Sequence, residues 1–253
     1  MHSDREWKYW GEEDPLWAVA SRAGKRQKEP GAWTEAEFMA VGVEDWSPIV
    51  RQWEHYGLGS PQGRGRVIEI GCGAGRMTKQ LLTRFERVLA IDVAPAMVEL
   101  AKRLLGPDAD RVDFCLVDRP AVPAESDSCD GAFSTHVFQH FSDLNAVHSY
   151  LTLTHRALAP GASVCFHFPI SGAPRKVPKP RPLVLRRVAQ WLRRAVGRLD
   201  IIEYSCFDPD AVFRALERAG FRDIELRAFD VPAGGDSHAF FFGRRSQLHP
   251  RLP

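Results

Sequence analysis

VIEIGCGAGRMT, residues Val67–Thr78, places three glycines, Gly71, Gly73 and Gly75, two apart behind a short apolar run. That order predicts a buried strand, a tight turn, and a helix whose first turn faces a ligand. A phosphate-cradling P-loop needs Lys-Ser/Thr after its last glycine, but Arg76-Met77 follow here. The dinucleotide fingerprint G-x-G-x-x-G would set a third glycine at position 76, which is arginine; Gly75 comes one place early. Glu69, beside the turn, repels a pyrophosphate and suits a cation. Asp92 ends the next apolar run, RVLAID (87–92), 21 residues past Gly71. That spacing lets a carboxylate accept hydrogen bonds from ribose hydroxyls. A ligand with a ribose, a positive charge and no phosphate meets these demands, and S-adenosylmethionine is such a molecule.

Outward from the turn, strands and helices alternate. RVIEI (66–70), RVLAID (87–92), VDFCLVD (112–118), CDGAFSTHV (129–137) and SVCFHF (163–168) are predicted strands. Helices are predicted over 76–85, 96–105 after Pro95, 142–158 with Ser142 as N-cap, and 208–219 ending at Gly220. Late strands follow near IELRAF (224–229) and HAFFFG (238–243). The alternation predicts an α/β fold, a parallel sheet covered on both faces. Residues 1–60 are predicted as a helical N-terminal cap with breaks at Pro15, Pro30 and Gly31, including a helical stripe over 44–56; residues 61–253 are predicted as the ligand-binding domain.

The chain of 253 residues is 44% hydrophobic and 26% charged, enough to bury a core without disulfides. Five scattered cysteines with no C-x-x-C pair predict reduced thiols and a cytoplasmic location, not a structural zinc site. No apolar run approaches 18 residues, so no transmembrane segment is expected. The net charge of +2 is too small to predict a DNA partner. It is unevenly spread: residues 171–200 hold nine Lys/Arg against one acid, a local +8 that leaves the rest of the chain at −6.

VIEIGCGAGRMT, AIDVAPAMVELAK, LVDRPAVPAESDSCDGAFSTHVFQHF and the late strand pair, in this order and spacing, resemble class I SAM-dependent methyltransferases of the bacterial small-molecule type. The resemblance covers roughly residues 64–170. It implies a Rossmann-like, seven-stranded, mostly parallel sheet with the last strand antiparallel. It also implies S-adenosyl-L-methionine as cofactor, with S-adenosyl-L-homocysteine as product. By position, Glu69, Gly71, Gly73, Gly75 and Arg76 would line the methionine end. Asp92 would hold the ribose with Val93 beside it, and Met97 would pack on the adenine. Asp118 and Arg119 would border its amino group, and Ser134 and Thr135 would approach the methionyl amine. Ala94 stands where the family often has serine, which removes a helix cap and not a cofactor contact.

Methyl transfer from a sulfonium is an in-line displacement, so the protein mainly positions a nucleophile. A base helps when that nucleophile is a hydroxyl or carboxyl. After the fourth strand the sequence reads STHVFQHFSD; the resemblance turns His140 first, and His136 second, toward the acceptor as base or hydrogen-bond partner, with Gln139 contacting substrate. A loop-capping role is the alternative for both. Their four-residue spacing lacks a third ligand, so no metal site is expected.

Trp33 and Phe38 are placed as closing over the cofactor and lining an acceptor pocket, or as pinning the N-terminal arm to the domain. Six of seven tryptophans lie before residue 60. Within the basic insertion, residues 183–199 form an amphipathic pattern. It suits a lid over an anionic substrate such as a carboxylate, a peripheral contact with a membrane or lipid-like substrate, or a grip on an acidic partner or RNA. The expected reaction is O-methylation of a small metabolite, with an anionic or lipid-like acceptor matching the basic insertion. The alternatives are N-methylation of a small amine, or modification of a peptide or RNA. An N/D-P-P-Y/F/W tetrapeptide, the mark of base amino-group modifiers, is absent.

Overall fold

A computed structural model describes residues 2–57, 65–141, 144–171, 205–230 and 237–246. Its centre is a seven-stranded sheet in the order β3-β2-β1-β4-β5-β7-β6. The strands are β1 (Arg66–Ile70), β2 (Arg87–Asp92), β3 (Val112–Leu116), β4 (Cys129–Ser134), β5 (Leu158–Ile170), β6 (Phe221–Asp230) and β7 (Ser237–Arg245). β1 to β5 run parallel, and β7 is antiparallel to both β5 and β6. The order reverses beside β1, between β1 and β4, and such a switch point opens a crevice at the carboxyl ends of the strands.

The helices are α1 (His2–Glu13), α2 (Pro15–Val19), α3 (Glu35–His55), α4 (Arg76–Leu81), α5 (Pro95–Leu105), α6 (Leu144–Ala157) and α7 (Pro209–Ala219). One face of the sheet packs Ile68, Leu89, Phe166 and Phe241 against Leu151 of α6 and Leu216 of α7. The other packs Val67, Val88 and Phe133 against Trp46 and Trp53 of α3 and Leu81 of α4. Strands covered on both faces are apolar nearly throughout, which is why RVIEI and RVLAID could be placed from sequence.

Helix α3 is longer than the predicted stripe. It starts at a capping box: Thr34 Oγ1 accepts from Glu37 N–H (3.2 Å), and a Glu37 carboxylate oxygen accepts from Thr34 N–H (3.0 Å). It then runs through Pro48, which an isolated helix resists. Burial of Trp46, Ile49, Val50 and Trp53 offsets that cost. Trp53 is fully buried, stacks on Phe133 and donates its indole N–H to Ser163 Oγ (2.9 Å). Truncating such a side chain costs roughly 3–5 kcal/mol. Residues of the N-terminal segment thus share the core of the sheet domain.

Several edges move. β4 stops at Ser134, not 137, because His136 takes a left-handed φ of 57° that no strand accommodates. α4 ends at Leu81, β3 ends at Leu116, and β5 extends over 158–170. The proposed N-cap Ser142 and the amphipathic stretch 183–199 lie outside the described residues. All five cysteines are free thiols. Among the described residues no helix is long and apolar enough to cross a membrane.

Candidate functional site

The turn after β1 passes Gly71, Gly73 and Gly75 with φ of 76°, 50° and 81°, a region L side chains rarely adopt. Gly71 and Cys72 both donate their N–H to Ile91 O (2.8 and 3.1 Å), tying the turn to the end of β2. Gly75 then caps α4. A Cβ on Gly71 would lie 2.2 Å from Val137 Cγ2, and one on Gly73 would lie 3.1 Å from Val19 Cγ2. The turn is therefore bounded by the segment after β4 and by α2.

Two carboxylates flank it. Asp92 Oδ2 accepts Gly73 N–H (2.8 Å), and its Oδ1 accepts Val93 N–H (2.7 Å) and Ala94 N–H (2.9 Å). An ionised carboxylate offers about four lone-pair directions, so three are spent on aiming the group and one is left for a hydroxyl. Burial moves the Asp92 pKa upward, against the pull of those three donors. Glu69 is 2% exposed and accepts a hydrogen bond from Thr78 Oγ1 (2.6 Å). Burial first, and the charge of Asp92 after it, push its pKa to about 8, while Thr78 and Arg76 oppose. A buried acid of this kind favours a cation that replaces its proton.

Arg76 is buried and its guanidinium pairs with Asp45 of α3. It therefore fastens α3 to α4. Met97 is fully buried under α1, where a Cβ on Gly11 would lie 3.4 Å from Met97 Cγ. Trp10, Ala18, Phe38, Ala74, Ala94 and Met97 make one apolar cluster at this edge of the sheet. Phe38 is sealed within it at 0% exposure. Trp33 donates its indole N–H to Ala20 O (2.9 Å) under the Lys25 ammonium, 4.7 Å from the ring centre. That contact pins the arm. Asp118 and Arg119 are exposed in the loop beyond β3, close to Leu116, an apolar side chain 51% exposed at the strand end.

Ser134, fully buried, donates its hydroxyl to Ile70 O (3.0 Å), joining the ends of β4 and β1 beneath the turn. Thr135 is half-buried. His136 follows in its left-handed conformation, which costs roughly 1–2 kcal/mol for a residue with a Cβ. Its backbone N–H donates to His167 Nδ1 (3.1 Å). The Gln139 amide lies 3.1 Å from His140 Nε2 and also hydrogen-bonds the His136 side chain. It links the two predicted histidines. Desolvation in the recess moves the His136 pKa down to about 4, with the Arg76 charge adding to it and Asp45 and Gln139 opposing. The residue is nonetheless exposed in accessible surface. It lines a recess that solvent enters, so solvent limits the size of the shift and leaves its direction downward.

The edge of Trp7 in α1 meets the His140 ring, centres 4.8 Å apart. α1 thus reaches from Met97 across to His140. Trp7, Gly11, Val19, His167 and His238 were not read from sequence as site residues. The tryptophans carried an aromatic excess but no address. The histidines carried one weak signal, a polar residue in an apolar strand, which demands a partner.

A glycine turn, an oriented carboxylate and a buried acid can hold a cationic nucleoside, and linked imidazoles beside them can bind a second molecule. A family model described as a methyltransferase domain matches residues 68–166. An uncharacterised methyltransferase of Oceanobacillus iheyensis is 29% identical over 51% of this chain and 66% of its own. A malonyl-[acyl-carrier protein] O-methyltransferase of a Paenibacillus species is 36% identical over 40% of this chain and 37% of its own. The matches thus take in less than two thirds of either relative. The crystal structure of the N-methyltransferase NodS from Bradyrhizobium japonicum, in complex with S-adenosyl-L-homocysteine, covers 97% of this chain and 99% of that one, with TM-score 0.60 and 14% identity. At that identity the likeness is one of fold.

Proposed function

Because the chain belongs to the class I SAM-dependent methyltransferases, we propose that it transfers a methyl group from S-adenosylmethionine to an oxygen of a small-molecule acceptor. The observation that carries this reading is the placement of two Gln139-linked histidines at the end of β4, beside a carboxylate-flanked glycine turn. The residues fit the cofactor. Asp92 keeps one acceptor direction for a ribose hydroxyl, Glu69 supplies a buried counter-charge for a cation, and the turn excludes any Cβ from its surface.

When bound, S-adenosylmethionine supplies a methyl group already activated on a positive sulfur. What remains for the chain is to orient the acceptor, keep water away and move a proton. Orientation can be worth roughly 7–11 kcal/mol, and α1 with Trp7 covers the acceptor side. A base contributes roughly 10²–10⁴-fold when its pKa lies near the working pH. Desolvation and the Arg76 charge disfavour a proton on His136, so His136 serves as a hydrogen-bond partner and His140 is the proton acceptor in this reading. The named O-methyltransferase relatives support oxygen as the acceptor atom.

The test is a labelled-methyl screen against carboxylates, phenols, sugars, amines and lipids, with wild type and His140→Ala. Turnover on an oxygen acceptor, lost in the variant while S-adenosylhomocysteine still binds by calorimetry, is the expected result. Transfer only to amines, or turnover unchanged in the variant, would defeat it.

A further inference from the structure

β5 and β7 each carry one histidine in an otherwise apolar run, His167 and His238. Register sets His167 opposite Phe240 and Pro169 opposite His238, so the two imidazoles are diagonal neighbours on one sheet face. His167 is fully buried. Both of its ring nitrogens are engaged: Nδ1 by the His136 N–H (3.1 Å), and Nε2 by His238 Nδ1 (2.9 Å). The His167 and His238 rings are inclined by only 16° with centres 5.0 Å apart, the arrangement of an in-plane N–H···N bond between ring edges.

The backbone fixes every proton in this series. A peptide N–H can only donate, so His167 Nδ1 must hold a lone pair. His167 is then neutral with its proton on Nε2, and that proton is donated to His238 Nδ1. His238 in turn is neutral with its proton on Nε2. A further proton on His238 would have to sit on Nδ1, facing the His167 N–H, and would break the series. Among the described residues no group of three or more His, Cys, Asp or Glu is placed to hold a metal ion; these nitrogens are spent on one another.

We propose that His167 and His238 are positioning residues for the acceptor end of the site. Their hydrogen-bonded series holds His136 in its left-handed turn, in the recess beside Arg76, so that its ring meets the acceptor as a hydrogen-bond partner and not as a counter-ion. The acceptor's role here rests on the methyl-transfer reading; the series itself does not. The surroundings agree. Around His136 stand Arg76 from α4, Asp45 from α3, and His167, His238 and Gln139. The Arg76 guanidinium disfavours a proton on its ring, and Asp45, already paired with Arg76, opposes only in part. Around His167 stand His136, His238 and the rings of Phe229 and Phe240, at 6.0 and 5.4 Å, which leave nothing to solvate a charge. A site built this way favours a neutral acceptor oxygen over a carboxylate.

The test is ring-nitrogen NMR of the full chain labelled with ¹⁵N-histidine, from pH 5 to 8, with signals assigned by substitution. In wild type, His167 and His238 are expected as neutral Nε2–H tautomers, and His136 as neutral, across that range. His167→Asn keeps an acceptor where Nδ1 stood but cannot reach His238. His136 should then stay as in wild type while His238 titrates near 6.5. His167→Phe removes both bonds, and both His136 and His238 should titrate within the range. A wild-type His238 that titrates near its ordinary value overturns the proposal without needing any variant to fold, as does a His136 that the Phe variant leaves unmoved. Failure of wild type to bind S-adenosylhomocysteine in calorimetry would defeat the methyl-transfer reading alone, because no spectrum here requires a ligand.

Discussion

Trp7 of α1 meets the His140 imidazole edge-on with ring centres 4.8 Å apart, although the two residues are far apart in sequence. α1 also rests Gly11 on Met97 of α5. One helix therefore touches both Met97, on the proposed nucleoside side, and His140, and in the proposed reading it senses whether the crevice between them is filled. An aromatic pair of this kind is worth roughly 0.5–1.5 kcal/mol beyond its buried area. Trp7→Ala should therefore raise the fraction of chain with α1 detached about 2–10-fold. Limited proteolysis reads this directly. Cleavage within residues 1–20 should be slowed by S-adenosylhomocysteine in wild type and be faster, with less protection, in the variant. Equal rates in both proteins would mean that α1 does not report on the crevice.

Glu69 gives a pH signature. Burial raises its pKa from 4.5 to about 8. The folded chain keeps a proton that the unfolded chain has already released, so this contribution to stability is complete below about pH 4.5 and is lost as pH rises through about 8. Glu69→Gln cannot titrate, yet its amide oxygen can still accept from Thr78. The variant's unfolding free energy should match wild type near pH 5, exceed it increasingly up to about pH 8 by up to a few kcal/mol, and hold that lead above it, with Tm following the same profile. Its affinity for S-adenosylmethionine should be weaker and nearly independent of pH, whereas wild-type affinity should rise between pH 6 and 8 as the cation displaces the proton. Parallel Tm profiles of the two proteins would rule out a shifted Glu69.

The sheet was legible because its parallel strands are buried on both faces and read as continuous apolar runs closed by Gly, Asp or Ser. The glycine turn and Asp92 were legible because their spacing alone sets the turn beside the end of β2. Other features depend on contacts across long separations. His167 and His238 lie 71 residues apart and meet only through the β5–β7 register. The start of α3 was in fact written as Thr34-x-x-Glu37, a capping box that Pro48 and Gly42 further along obscured. Phe38 and Trp33 suited either a pocket wall or a pin for the N-terminal arm, because an aromatic residue near a ligand domain can do both. Phe38 is sealed in the cluster beside α5 and Trp33 bonds Ala20 O within the arm, while Trp7 approaches the histidines.

Asp92 tests the cofactor end. Its carboxylate accepts from three backbone donors, the N–H groups of Gly73, Val93 and Ala94. Asp92→Asn preserves shape but must turn an NH₂ toward at least one N–H. Leaving that donor unsatisfied costs about 1–3 kcal/mol, and the ribose loses its charged acceptor. Differential scanning fluorimetry should show a lower Tm for the variant and no rise on adding S-adenosylhomocysteine, against a clear rise in wild type. A ligand-induced rise of wild-type size in the variant would remove Asp92 from the nucleoside site.

Gly71 and Val137 separate conformational strain from collision. At φ of 76°, alanine costs roughly 1–2 kcal/mol whatever surrounds it. Its Cβ would also lie 2.2 Å from Val137 Cγ2, a contact that forces the turn or the segment after β4 to move. Overpacking of that kind adds roughly 1–3 kcal/mol. Gly71→Ala should therefore lose about 2–5 kcal/mol in urea unfolding, together with binding of S-adenosylhomocysteine. Val137→Ala in the same chain removes the collision and leaves the strain. The double variant should then be more stable than the two single losses predict when added, by at least about 1 kcal/mol. If the losses simply add, Val137 does not close the turn, and the link between the glycine turn and the histidine segment is lost.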